Sequence, residues 1–255
     1  MKHIFFKIAF LICVFGAIAN TAQAISLGNE TINYKVIYKW GLVHKQAGRA
    51  RLLLKKNGTH YNASAYARSE PWADKIYRLR DTMFTTMNVS DFSPTRYEYI
   101  AHEDGKYSHD IINFTRSGNN VTGKCSRTRR KKNEQKPTTV SITHSASGMT
   151  VDMLSSFYYL RSLDFAAMKP GTKKVINIFS SKKKEILTFT YKGLQSLKYD
   201  GKTYQTYKVV FTFTSDGKKQ TSDPIEAWVS ADARRIPLKL VGKLKIGQVQ
   251  CLYVP

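Results

Sequence analysis

Two-residue turn signals constrain this chain more than any other feature. Asn57-Gly58 separates RARLLLKK from THYNASAYARS, and Asp104-Gly105 separates TRYEYIAHE from KYSHDIINFT. Asp200-Gly201 joins LQSLKY to KTYQTYKVVFTFT, and Asp216-Gly217 ends that long segment. Ser117-Gly118-Asn119-Asn120 makes a further reversal before VTGKCSRTRR. Asn-Gly and Asp-Gly supply the positive φ that tight hairpins need, and the flanking segments alternate apolar and polar residues. Parallel βαβ units need long crossovers between strands, so turns this closely spaced point to antiparallel hairpins in a meander. The 15 Tyr and 13 Phe suit pleated, half-buried surfaces. The chain is therefore predicted to be mainly β: an antiparallel, strongly curved sheet or incomplete β-barrel with one or two short helices packed on it.

The turns also predict registers. Asn57-Gly58 as a two-residue turn pairs Leu54 with Tyr61 and Leu52 with Ala63, leaving Arg51, Lys55 and His60 on the other face. Asp104-Gly105 sets Glu103 opposite Lys106, His102 opposite Tyr107 and Ile100 opposite His109. Two segments break the alternation. SEPWADKIYRL has Ser69 as a cap and Pro71 in the first turn, which predicts a short helix. VDMLSSFYYLRSLDF predicts a helix over about 152–162, capped by Asp152 and packed on the sheet through an apolar stripe.

At the N-terminus, Lys2 and Lys7 accompany an apolar run from Ile8 to Ala19, followed by Ala22-Gln23-Ala24. This is the pattern of a secretory signal, expected to be cut after Ala24. Residues 25–255 are expected to form a single β-rich domain, exported to the periplasm or secreted. Roughly 230 residues are enough to bury a full core. Two cysteines follow, Cys125 and Cys251, in a compartment that permits disulfides; a bridge between them is left open. The formal charge is +23. In the cytosol such an excess points first to nucleic acid. An exported chain instead meets lipid headgroups, anionic polymers and acidic glycans, so no nucleic-acid partner is expected, and peripheral membrane contact is compatible with the charge.

Signatures of catalysis are sparse. There is no phosphate-binding glycine loop, no paired CxxC, no HExxH and no GxSxG. His102 and His109 share a hairpin face but lack a third ligand at fixed spacing, so neither a metal nor a cofactor is expected. Cys125 sits beside Lys124 and Arg127, which favour a thiolate, but has no partner base at a recognised spacing. The run Arg127, Arg129, Arg130, Lys131, Lys132 reads as a solvated loop or strand ending, with an anion-binding patch as its alternative.

Near the C-terminus, EAWVSADARRIPLKL gathers Trp228, Asp232, two arginines and Pro237. Strand alternation sets Ala227 and Val229 on one face and Glu226 and Trp228 on the other, with Asp232 accepting turn N–H groups and Pro237 opening the next strand. Together with YKVIYKWGLVHKQAGRARLLL (residues 34–54) and DMLSSFYYLR (152–161), this stretch resembles an exported bacterial family known as domain of unknown function 3108. A weaker similarity, on Trp228, Asp232 and Pro237, is to periplasmic lipoprotein carriers. It implies a half-barrel whose concave face holds acyl chains. The resulting expectation is a non-enzymatic envelope protein binding an amphiphilic or anionic component, lipid or glycan. Trp40, Trp72, Tyr77, Phe157, Tyr158 and Trp228 are the expected pocket aromatics, and Arg127, Arg129 and Arg130 the expected head-group cations. A scaffold module in envelope assembly is the runner-up and a hydrolase of envelope polymers the third reading. Oligomeric state is not legible.

Overall fold

The computed structural model of the protein describes residues 27–215 and 219–255. The expected signal segment, its cleavage site at Ala24 and the Asp216-Gly217 turn lie outside these residues. Eight antiparallel strands come first in an up-and-down meander: β1 (Glu30–Trp40), β2 (Val43–Asn57), β3 (His60–Ser69), β4 (Leu79–Asn88), β5 (Pro94–Glu103), β6 (Lys106–Ser117), β7 (Asn120–Arg130) and β8 (Thr138–Ser147). A short β9 (Thr150–Val151) leads into a helix and a 3-10 turn, Phe165–Ala167. The chain then forms β10 (Lys173–Phe179), β11 (Lys184–Tyr199), β12 (Lys202–Ser215), the stub β13 (Lys219–Gln220), β14 (Ile225–Ser230), β15 (Pro237–Lys243) and β16 (Gln248–Val254). The last strand pairs with the first, so one sheet runs from β8 through β1, β16 and β12 to β9. The sheet curls into a nearly closed barrel with one unsealed seam, between β8 and the edge formed by β10 and the short β9.

Side chains close that seam where the backbone ladder does not. Phe179 on β10 stacks on Phe114 of β6 at 5.8 Å and tilts against His144 of β8 at 5.4 Å. The Asn177 side chain donates to the Ser147 carbonyl at 2.9 Å. Gly123 on β7 leaves the space that Phe179 occupies: a Cβ there would lie 2.5 Å from the ring. Gly123→Ala should therefore destabilise the fold by about 1–3 kcal/mol through overpacking. Urea denaturation would register this as a lower midpoint at unchanged slope.

Two helices hold the ends of the barrel. The first, α1 (Pro71–Tyr77), begins as Pro71 predicts. Ser69 is not its cap: its hydroxyl donates to the side chain of Asp74 in the first turn and accepts from the Leu79 N–H beyond the last, tying the two ends of the segment together. The second, α2 (Ser155–Arg161), has Asp152 before it accepting the Leu154 and Ser155 N–H groups at 2.7 and 2.8 Å. Every α2 residue is buried, so the helix lies within the barrel rather than against it through one stripe. Ser155, Ser156, Phe157, Tyr158, Tyr159 and Leu160 offer no charged face, and the two serines satisfy their hydroxyls on local backbone groups.

Arg161, the one charge on α2, is 1% exposed. Its guanidinium forms a bidentate pair with Glu30 at the start of β1 and donates to the Arg234 carbonyl at 3.1 and 2.8 Å. Arg234 belongs to the turn between β14 and β15, where Asp232 Oδ1 accepts the Arg234 and Arg235 N–H groups, as the sequence predicts. The Tyr34 hydroxyl donates to the Pro237 carbonyl at 3.0 Å, and the Tyr34 ring meets Phe157 edge-on. The three stretches that carried the family resemblance thus meet at one end of the barrel.

Registers at Asp104-Gly105 are as predicted, with Asp104 and Gly105 both at positive φ. At Asn57-Gly58 the turn residues are Gly58-Thr59 instead, so Leu54 pairs with Ala63 and Leu52 with Ala65. The displacement is an even number of residues, so each side chain keeps its face. Cys125 and Cys251 are both buried and not bridged. Their strands, β7 and β16, stand seven positions apart in the sheet, on opposite walls. Among the described residues no helix is long and apolar enough to cross a membrane.

Candidate functional site

The two ends of the barrel differ. The end that holds α2 is packed shut by Arg161, Glu30 and the β14–β15 turn. The other is where β1, β3 and β5 finish and β2, β4 and β6 start, and α1 lies across it. Three hydrogen bonds anchor α1: Glu70 N–H to Ala47 O at 2.9 Å, Trp72 Nε1 to Gln46 O at 2.6 Å, and the Tyr77 hydroxyl to Glu103 at 2.8 Å. No α1 residue is buried. Its apolar side chains have only the barrel mouth to cover, and they leave space beneath them.

That space is a pocket of about 320 Å³, at the small end of the ~300–1,000 Å³ range of ligand sites. Its floor is inward-facing wall: Val36, Ala47, Gly48, Ala67 and Leu79. Trp72, Ala73, Ile76 and Tyr77 of α1 form one lip, and Tyr38, Trp40, Leu244 and Ile246 the other. The small residues make the room. Gly48 has no alternative, since a Cβ there would lie 2.8 Å from the Arg68 carbonyl oxygen. The Tyr38 hydroxyl donates to the Ile246 carbonyl at 3.2 Å and fixes the β15–β16 turn over β1.

Beside the pocket, an open groove of about 1420 Å³ runs over the outer face of β1–β5. Lys35, Lys45, Arg49, Arg51, Arg68 and Arg80 line it, against two acids, Glu70 and Asp81. Glu70 is spent on Arg49 in a bidentate pair at 3.0 Å, and this partner holds its carboxyl below the usual range. Asp81 is 2% exposed. Burial first, then the charge of Glu103, raise it to about 8, against a hydrogen bond from Tyr99 that works the other way. The Asp81 carboxyl faces the barrel interior, where it meets Tyr99, so it does not offset the cations of the groove. Arg49, Arg68 and Trp72 line both the groove and the pocket, and Lys45 lies over the Trp72 ring at 4.8 Å.

The residues predicted from sequence fall into four groups. Trp40, Trp72 and Tyr77 converge on the apolar pocket. Phe157 and Tyr158 belong to the core, 1% and 0% exposed, and line neither the pocket nor the groove. Trp228 stands on the outer face of β14, with Lys208 at 3.2 Å and Lys239 at 5.0 Å from its ring; burial lowers the pKa of both lysines. Its strand adjoins β15, but Trp228 lines neither the pocket nor the groove.

The basic run is the fourth group: Lys131 and Lys132 lie in the exposed loop after β7, as expected, but the arginines do not. Arg127 and Arg129 point inward from β7, and Arg129 grips the fully buried Asp110 of β6 with both guanidinium nitrogens. Arg130, Lys131 and Lys132 are engaged by Glu134 and Asp104. Cys125 is not an activated thiol. Burial, with Asp110 adding to it, pushes it up to about 11 against the opposing pull of Arg127 and Arg129. His109 bonds Glu98 at 2.7 Å and His102 tilts against Tyr107. Sequence reasoning missed Arg49, Arg68, Ile76 and Ile246. The available signal was apolar residues at exposed sites: Ile76 in a short helix and Ile246 in the turn KLKIGQ.

Fold and site define a class: an antiparallel barrel plugged by an internal helix at one end, with an apolar pocket and a cationic groove at the other. The chain belongs to the family described as "Protein of unknown function (DUF3108)", whose model matches residues 33–252. No curated protein matches its sequence. Among solved structures it is similar to a beta-barrel-like protein of domain of unknown function DUF1849 from Brucella abortus, at 12% identity and a TM-score of 0.58. That match covers 91% of this chain and 98% of the other and shows a shared fold. A second match, the hypothetical lipoprotein YmcC from Escherichia coli K12, has 11% identity over 92% of this chain and 90% of that one, at a TM-score of 0.30.

Proposed function

We propose that the protein binds an anionic, acyl-bearing amphiphile of the cell envelope without transforming it. The acyl part occupies the mouth pocket and the head group lies among the cations of the adjoining groove. One observation carries the reading: Trp72, Arg49 and Arg68 form a common wall, so an apolar cavity opens directly beside a cationic surface. The N-terminal segment supports an envelope location. The barrel interior expected to hold acyl chains is filled by α2, which moves the binding site from the concave face to its rim. A scaffold role has one feature in its favour: β8 pairs only with β7 in the sheet, and its first half, residues 138–143, lies beyond the side chains that close the seam, leaving a short edge for a partner strand.

Calorimetric titration with lysophosphatidylglycerol, below the concentration at which it forms micelles, tests the reading. A saturable site is expected, with weaker binding of zwitterionic lysophosphatidylcholine. Ala73→Phe fills the pocket from a partly exposed helix position, so the fold is kept. Displacing two buried methylenes at ~0.8 kcal/mol each weakens binding about tenfold. Arg68→Gln should narrow the preference for the anionic head. Binding untouched by Ala73→Phe, or absent altogether, contradicts the proposal.

A further inference from the structure

Among the described residues, nine large apolar side chains are notably exposed, and five of them sit at the barrel mouth: Trp40 at 58%, Leu42 at 105%, Val43 at 41%, Ile76 at 76% and Ile246 at 48%. They come from three separate segments, the β1–β2 turn, α1 and the β15–β16 turn. These segments are held in fixed relation: Tyr38 bonds the Ile246 carbonyl, a Cβ on Gly247 would lie 2.3 Å from the Lys39 carbonyl oxygen, and Trp72 of α1 donates to the Gln46 carbonyl of β2. Apolar side chains scattered singly are ordinary, whereas a contiguous cluster at one pole marks a contact surface. The neighbouring sequence is basic. Lys39 and Lys45 flank the first turn, Lys75 precedes Ile76, and Lys243 and Lys245 flank the last. Of the acids at this end, Glu70, Asp74 and Asp104 are paired with Arg49, Arg80 and Lys132, and Glu103 accepts from the Tyr77 hydroxyl.

We infer that this pole docks on an anionic lipid bilayer, with Trp40, Leu42, Val43, Ile76 and Ile246 entering the interface and the lysines meeting the head groups. Charge complementarity decides the occupant. An apolar tip flanked by five lysines fits a surface that is anionic outside and apolar beneath, with each lysine near it worth about 1 kcal/mol. A second copy of the chain would bring lysines against lysines. The inference rests on the amphiphile reading and sharpens it, since the pocket then opens onto the membrane from which its ligand is drawn.

The test uses the full chain with Trp72→Phe and Trp228→Phe, so that Trp40 alone reports. Vesicles of phosphatidylcholine mixed with phosphatidylglycerol, carrying brominated acyl chains, should quench Trp40. Pure phosphatidylcholine vesicles should quench it weakly, and raised salt should reduce the effect. Adding Leu42→Asp and Val43→Asp, neither of which lines the pocket, should remove the quenching, and the same two substitutions in the chain that keeps all three tryptophans should leave lysophosphatidylglycerol binding in solution intact. Ala73→Phe should do the reverse, so a failed pocket and a failed docking surface read differently. Trp40 emission unchanged on anionic vesicles, or quenching that survives the two Asp substitutions, overturns the inference.

Discussion

Arg161→Met is expected to destabilise the protein by about 3–5 kcal/mol, the usual effect of removing one partner of a buried ion pair. Two groups lose their donor at once, the Glu30 carboxylate and the Arg234 carbonyl. The Arg234 turn is where β14 passes to β15, and Glu30 opens β1, so the loss reaches both strands as well as α2. At about 2–4 °C per kcal/mol for a chain of this size, thermal unfolding should begin roughly 10–15 °C lower. Glu30→Gln combined with Arg161→Met should recover part of the loss, because the stranded charge is gone. A double variant no better than Arg161→Met would mean that the pair itself contributes little and the packing of α2 is what matters.

Asp81→Asn should change how stability depends on pH. In the unfolded chain Asp81 titrates near its ordinary value of 3.8, and in the folded chain at about 8. Between those two values the folded state holds a proton that the unfolded state has released. Stability contributed by this group is therefore fully present below about pH 4, is lost as pH rises, and levels off above about pH 8. The raised Asp152, at about 6, acts in the same direction over a narrower window. Each pKa unit corresponds to ~1.4 kcal/mol, so about four units set an upper bound near 6 kcal/mol. Urea unfolding at pH 5 and pH 9 should show wild type losing several kcal/mol across this range and Asp81→Asn losing much less. Equal losses in the two proteins would mean that Asp81 is ionised in the folded chain at neutral pH.

Much of the fold was legible because tight turns are local. Asp104-Gly105 fixed the pairing of Glu103 with Lys106 and of His102 with Tyr107, since both turn residues take the positive φ that only a few residue types accept readily. Asn57-Gly58 was one residue ambiguous, and the chain used Gly58-Thr59. The site was legible only in part. Trp40, Trp72 and Tyr77 lie near strand ends or on a short helix, where aromatic side chains find a mouth to cover. Phe157 and Tyr158 are aromatic for another reason: they fill the barrel from a helix that crosses its interior, and local spacing does not separate that from a helix lying on a sheet. The arginines of β7 misled because a charge run usually marks a solvated surface. Arg127 and Arg129 alternate inward, and the acid they meet, Asp110, is brought opposite only by the β6–β7 hairpin.

The central claim is that an acyl chain enters the mouth pocket, and Trp72 can report it. In the chain with Trp40→Phe and Trp228→Phe, Trp72 is the sole tryptophan and lies at the wall shared by pocket and groove. Titration with lysophosphatidylglycerol below its micelle concentration should shift Trp72 emission to shorter wavelength and saturate. The companion protein that keeps only Trp228, out on β14, should stay silent. A Trp72 signal that does not move while the lipid binds would place the ligand elsewhere on the molecule and contradict the account.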